Sequence, residues 1–268
     1  MPRAPVWQVD AFTNRPFAGN PAAVVWLDAE VEVDAGWMQH VATEMNLPMT
    51  AFVHPRPDGD GHGLRWFHST GEEVLCGHAT LAAAHVLWDA GRIPAGPIRF
   101  HTRSDVLTCQ KNGDRIDLDF PSTPPQESNA DPQLLVALGA IAAAYFGRTR
   151  FDVFVELDSA ESVRSLRPDF RKLMALDTRG IIATARSDDP KFDFLSRFFS
   201  PRSGIDEDPV TGSAHCALAP FLSAKLGKTA MTGFQASPRG GVVGVRVNGD
   251  RVILSGQAVT VLEGALLC

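Results

Sequence analysis

Two short stretches of this chain combine reactive side chains with the start of an apolar run. The first is Cys76-Gly77-His78, followed by "ATLAAAHVLW". The second is Asp208-Pro209-Val210-Thr211-Gly212-Ser213, followed by "AHCALAPFL". A helix opening at each glycine presents unpaired backbone N–H groups and a partial positive charge, which suits a carboxylate or a phosphate. A helix N-terminus also lowers the pKa of a thiol placed there, such as Cys76. His78 and Asp208, if brought together, could act as a general acid–base pair. Each of these residues also has an ordinary structural use. Cys76 can fill apolar space, His78 can cap its helix, Asp208 can stabilise its turn, and Ser213 can bond the backbone. Gly77 and Gly212 can simply permit tight turns. The repetition of the arrangement favours an anion site. His85 and His215 fall inside the two runs and read as packing residues.

The elements that must position these groups also repeat. "RWFHSTGEEVLCGHATLAAAHVL" (65–87) is similar to "RFFSPRSGIDEDPVTGSAHCALAPFL" (197–222), and "KNGDRIDLDF" (111–120) to "VNGDRVILSG" (247–256). Gly77 and Gly212 stand 135 residues apart, and the hairpin residues Asn112 and Asn248 stand 136 apart. Two matches in one order at one distance point to a duplicated architecture. The expected fold is α+β, with two similar domains over 1–122 and 123–268 and a last strand free to return to the first. The boundary falls near "PSTPPQESNADP" (121–132), which has no apolar period.

Alternation predicts strands at 5–11, 22–28, 50–54, 64–68, 98–103 and 114–120, then at 151–157, 179–185, 193–199, 231–236, 242–247 and 251–255. Peripheral helices are expected at 35–45 and 162–176, the latter disturbed by Pro168. The 79–88 run carries no charged residue on any face until it ends, so it is expected to be buried all round. A short buried helix among many strands suggests a mostly antiparallel sheet wrapped around it, once in each half. Pro220 is expected to kink the second such helix. If the halves face one another, both helix starts look into the cleft between them, a common place for small-ligand sites.

Composition narrows the function. A net charge of −6 argues against nucleic acid, whose binders carry a basic patch. No apolar run is long enough to cross a bilayer, and "MPRAPVWQVDAF" lacks a signal-peptide core. Cys76, Cys109, Cys216 and Cys268 are far apart and without CxxC spacing, so free thiols in a reducing, cytoplasmic setting are expected.

The motifs together resemble the PhzF-like family, named for the phenazine-biosynthesis isomerase, within the diaminopimelate-epimerase-like fold. "QVDAFTNRPFAGNPAAVVWL" (8–27) is similar to the family's opening strand and GNP loop, and "LCGHATLAAAHVL" (75–87) to its first central helix. "DPVTGSAHCALAPF" (208–221) is similar to its second central helix, and "SGQAVTVLEGAL" (255–266) to its closing strands. The resemblance implies two alike domains with the site between them. It implies an isomerase or epimerase that moves a proton on a carbon next to an activating group of a small carboxylate. It further implies no metal or organic cofactor and a homodimer.

Carried over singly, His78, Asp208 and Ser213 match active-site positions of the family. Asn20 lies in the GNP loop, and Gly77 and Gly212 offer backbone amides. The family's catalytic glutamate stands in a motif like Asn-Leu-Ser-Glu-Thr. Here the motif reads Asn46-Leu47-Pro48-Met49-Thr50, so Met49 occupies the acid position. A thioether cannot abstract a proton. In the related epimerases the catalytic thiols directly precede glycine at the two helix starts. Cys76 matches the first of these positions, while Thr211 stands at the second. Two functions of different class follow: an isomerase using Cys76 as base with His78 or Asp208 as acid, or a binder of a small carboxylate that kept the site and lost the base. A purely structural partner protein is a weaker third, because His78, Asp208 and Ser213 are retained.

Overall fold

The computed structural model describes residues 3–28, 34–94 and 96–267. The chain divides into two compact units. Met1–Asp119 and Ser255–Cys268 form the first, and Phe120–Leu254 the second. Along the first segment run β1 (Ala4–Ala11), β2 (Asn20–Trp26), α1 (Ala35–Met45), β3 (Met49–Pro55), β4 (His62–His68), β5 (Gly71–Glu73), α2 (Gly77–Asp89), β6 (Ile98–His101), β7 (Val106–Asn112) and β8 (Arg115–Pro121). There follow β9 (Gln126–Glu127), α3 (Pro132–Leu138), β10 (Tyr145–Arg148), β11 (Asp152–Glu156), α4 (Ala160–Ser165), α5 (Phe170–Met174), β12 (Gly180–Arg186), β13 (Phe194–Ser200), β14 (Ile205–Asp208), α6 (Gly212–Leu226), β15 (Ala230–Gln235), β16 (Gly241–Asn248) and β17 (Arg251–Gly256). The chain closes on β18 (Ala258–Leu266), which pairs antiparallel with β1 in the first unit.

The pairing pattern of the first unit recurs nine strands later. β1–β2 is antiparallel, β2–β3 parallel, β3–β4 and β4–β5 antiparallel, and β4–β6 parallel. β10–β11 is antiparallel, β11–β12 parallel, β12–β13 and β13–β14 antiparallel, and β13–β15 parallel. The fold is thus α+β, with the duplication visible in the strand ladder as well as in the motifs. In the first unit α1 covers one face of the sheet, where Met38, Val41 and Ala42 meet Val25, Phe52 and Phe67. In the second unit Leu134 of α3, Val163 of α4 and Leu173 of α5 cover Phe146, Val155, Ile181 and Phe199.

α2 packs against β1, β2 and β3, and α6 against β15 and β16. In α2 every residue from Gly77 to Trp88 is buried except the half-buried His85, as an apolar run without a polar face requires. α6 runs on through Pro220 as one helix. Proline has no N–H to give the carbonyl four residues back. That carbonyl, of Cys216, accepts instead from the backbone N–H of Thr123 at 3.1 Å.

The helix expected at 162–176 is two helices, α4 and α5. Pro168 biases the residue before it toward extended backbone, and Asp169 then caps α5 by accepting from the Lys172 N–H at 3.2 Å. α3 was not expected beside the polar boundary stretch, although it opens on an N-cap Asp131 followed by Pro132. β5, β9, β10 and β14 were missed because each has four residues or fewer. β7 was missed because half of it is exposed and polar. Cys76, Cys109 and Cys216 are buried free thiols, while Cys268 lies outside the described residues.

Candidate active site

In the first unit three segments bring candidate residues to the sheet face that α2 covers. Phe52 packs on the α1 side, so alternation turns Met49, Ala51 and Val53 of β3 to the α2 side. Met49 opens β3, is 7% exposed, and lies beside Ala22 of β2 in parallel register. Asn20, two residues before Ala22, shares that face and is fully buried. The turn leading to Asn20 depends on Gly19, whose φ is +63°. A Cβ there would stand 2.1 Å from the Ala11 carbonyl oxygen.

Cys76 is the N-cap of α2, with an extended backbone and no side-chain bond to the first-turn N–H groups. Its Sγ lies 3.5 Å from Nδ1 of His78, within the reach of a sulfur hydrogen bond. His78 is 5% exposed, and its Nε2 has no hydrogen-bond partner among the described residues. Burial pushes its pKa down from 6.5 to about 3, so the ring is neutral at neutral pH. When Nδ1 accepts from the thiol, the tautomer that remains carries its proton on Nε2. With the thiol as donor, Cys76 and His78 form a thiol–imidazole pair whose buried Nε2–H has no partner among the described residues.

The start of α6 is organised differently. The N-cap Thr211 also lacks a side-chain bond to the first turn. Its hydroxyl donates to Asp208 Oδ2 at 2.5 Å. Gln235, fully buried on β15, ties the turn together. Its Oε1 accepts from the Thr211 N–H at 2.8 Å, and its Nε2 donates to the Asp208 carbonyl at 2.8 Å and to Thr211 Oγ1 at 3.1 Å. Ser213 Oγ accepts from Nη2 of Arg179 at 3.1 Å. The same guanidinium grips the buried Asp152 carboxylate through two bonds of 2.9 and 2.6 Å. Gly212 is buried and opens the helix.

His85 and His215 take structural roles. His85 Nε2 lies 3.1 Å from the Thr260 hydroxyl. His215 Nδ1 donates to the Thr211 carbonyl at 2.8 Å, and burial lowers its pKa to about 4. Gln235, Arg179 and Asp152 were not singled out by the sequence, since they come from segments with no motif. Thr211 stands inside the Asp208–Ser213 motif, but spacing alone does not reveal its bond to Asp208. Among the described residues no group of three or more His, Cys, Asp or Glu could hold a metal ion, and no helix is long and apolar enough to cross a membrane.

An α+β fold with duplicated units, each holding a buried helix that starts beside reactive side chains, defines the class of the epimerase-like folds. Residues 9–264 match the PhzC-PhzF family of phenazine biosynthesis-like proteins, and the chain belongs to that family. It is 50% identical over 268 residues to a protein of Halalkalibacterium halodurans named as an uncharacterized isomerase, covering 100% of both chains. A crystal structure of a phenazine biosynthesis protein of the PhzF family from Enterococcus faecalis is similar over 100% of both chains, with 38% identity and a TM-score of 0.93. The structure of a predicted epimerase from Pseudomonas aeruginosa, 20% identical, covers 100% of both chains with a TM-score of 0.78 and shares the fold.

Proposed function

We propose that this protein is an isomerase acting on a small carboxylate by proton transfer, without a metal or organic cofactor. The observation that carries the reading is the Cys76–His78 pair at the buried start of α2. In this reading the substrate carboxylate is held by the first-turn N–H groups, Gly77 and Gly212 among them. As the substrate binds, the Cys76 thiol gives its proton to Nδ1 of His78, 3.5 Å away. The thiolate takes a proton from the carbon next to the activating group, and the electron pair moves into that group as an enolate. The imidazolium of His78 donates from Nε2 to the developing oxyanion. The proton then returns to a carbon from the thiol. Asp208 and Ser213 serve as further acid and binding groups, Asn20 and Met49 as lining residues, in a cytoplasmic homodimer.

The second reading, a carboxylate binder without catalysis, is favoured by one observation. Met49, where the resemblance puts the general base, is a buried thioether on the α2 face of the sheet.

Proton NMR in deuterium oxide separates the two, using a panel of amino acids and cyclic acids. Solvent deuterium entering a substrate carbon supports the isomerase, and binding without exchange supports the binder. Cys76→Ala should abolish the exchange. Met49→Glu should create it or raise it by about 10²- to 10⁴-fold, the usual worth of a positioned base. Fast exchange that survives Cys76→Ala removes Cys76 from the proton path.

A further inference from the structure

A pocket of about 430 Å³ lies wholly within the second unit, around the turn from β10 to β11. Its lining includes Arg148, Arg150, Arg179 and Arg202 against two carboxylates, Asp152 and Asp177, in a chain whose overall charge is −6. The two carboxylates are already engaged. Asp152, its side chain 3% exposed, takes both of its bonds from Arg179. Asp177 is fully exposed and accepts from Arg202 at 3.0 Å, an ion pair that solvent screens heavily. Among the described residues neither Arg148 nor Arg150 forms an ion pair.

The turn holds these arginines in a fixed frame. Thr149 Oγ1 accepts from the N–H groups of Phe151 and Asp152 at 3.1 and 2.9 Å, and the Thr149 N–H donates to the Asp152 carbonyl at 2.8 Å. The Phe151 ring has the Arg150 guanidinium 5.1 Å from its centroid and that of Arg179 at 5.0 Å, each a cation–π distance. Arg150 is thus ordered by an aromatic face while its N–H donors stay free of carboxylate. Planar guanidiniums in this state match oxyanions with paired oxygens, and more than one such group is needed to satisfy several of them.

We propose that this pocket binds a small multivalent oxyanion, one bearing two or more carboxylate or phosphate groups. Arg148 and Arg150 supply the unpaired donors, and Arg202 exchanges its exposed partner for the ligand. The pocket residues belong to the second unit and the thiol–imidazole pair to the first, and the proposal does not depend on catalysis.

The test is calorimetric titration of the full chain with citrate and, separately, with inorganic pyrophosphate, at low and at raised salt. Saturable binding of at least one is expected, weakened by salt. The double variant Arg148→Gln/Arg150→Gln should weaken it by about tenfold or more, the usual worth of a hydrogen bond to a charged group. Both side chains are exposed, so the variant should fold. The charge-matched control Arg171→Gln/Arg246→Gln, at exposed positions outside the pocket, should bind as the wild type does. Which anion responds tells whether carboxylate or phosphate is preferred. Absence of saturable binding for both anions, binding untouched by the pocket variant, or an equal loss in the control each overturns the proposal.

Discussion

Lowering the pH from 7 to 5 should destabilise this protein through two buried histidines, and the size of the effect follows from their surroundings. His78 and His215 are held neutral by burial, with folded-state pKa values of about 3 and about 4 against 6.5 for a free imidazole. The folded pKa is the lower one, so the unfolded chain binds protons first as pH falls. Stability is therefore intact above about 6.5 and is lost below it, until the folded state itself takes the proton near 3 or 4. The slope is about 1.36 kcal/mol per pH unit per group, so each histidine should remove about 2 kcal/mol between pH 7 and pH 5. Urea unfolding of the wild type and of His215→Gln at both pH values measures it. The variant loses the Nδ1 bond to Thr211, so it should be weaker at pH 7, yet its further loss on going to pH 5 should be smaller by about 2 kcal/mol. His78→Gln should behave in the same direction. If both variants lose as much as the wild type between pH 7 and 5, the buried rings do not stay neutral and the reasoning fails.

Arg197→Met should cost about 3–5 kcal/mol in urea unfolding, because it strands the Glu207 carboxylate, only 12% exposed, and removes a donor to the Val163 and Leu166 carbonyls; Glu207→Gln should cost less, and a loss under about 1 kcal/mol for Arg197→Met would show that Glu207 reaches water. Gly19→Ala should lower stability by at least about 1 kcal/mol, since φ is +63° and the new methyl meets the Ala11 carbonyl; an unchanged unfolding midpoint would contradict that geometry. Gln235→Leu should cost about 1–3 kcal/mol by leaving the Thr211 N–H unpaired, and should reduce deuterium exchange if Asp208 takes part; unaltered stability would mean that another group reaches the N–H.

The parts of the fold legible in sequence were those set by period and by repetition. The uncharged, mostly apolar run at 79–88 read as a buried helix, and the two glycine-opened starts announced the duplication. The short strands were not legible, because β5 and β9 are fixed by their neighbours and not by their own residues. Site residues with a motif could be named, but their partners could not. The bidentate grip of Arg179 on Asp152, 27 residues away, depends on the parallel β11–β12 register that sets Asp152 beside Gly180. No spacing rule predicts such a pair.

The two helix starts have diverged in a way that bears on the proposed reaction. At matched positions of the repeat, Thr80 and His215 do one job: each side chain, four residues on, donates to the N-cap carbonyl, Thr80 Oγ1 to Cys76 at 2.5 Å and His215 Nδ1 to Thr211 at 2.8 Å. The structural task was kept while the residue changed. With Nδ1 donating, the His215 lone pair sits on Nε2, which has no partner among the described residues, and burial holds the ring's pKa at about 4, a weak base at neutral pH. The reactive positions did not stay equivalent. Cys76 and His78 face Thr211 and Ser213 in the alignment of the halves, and hydroxyls bonded to Asp208 and Arg179 are poor proton carriers at neutral pH. Inversion at a carbon calls for groups delivering and removing protons on opposite faces. A single thiol favours removal and return on one face, which moves a double bond without inverting a centre. If the proposed catalysis holds, unsaturated carboxylates should therefore isomerise faster than saturated amino acids epimerise, read by the position of deuterium in the product. Equal rates of exchange with inversion on saturated amino acids would show that a second proton carrier, Asp208 first among the candidates, works beside the thiol.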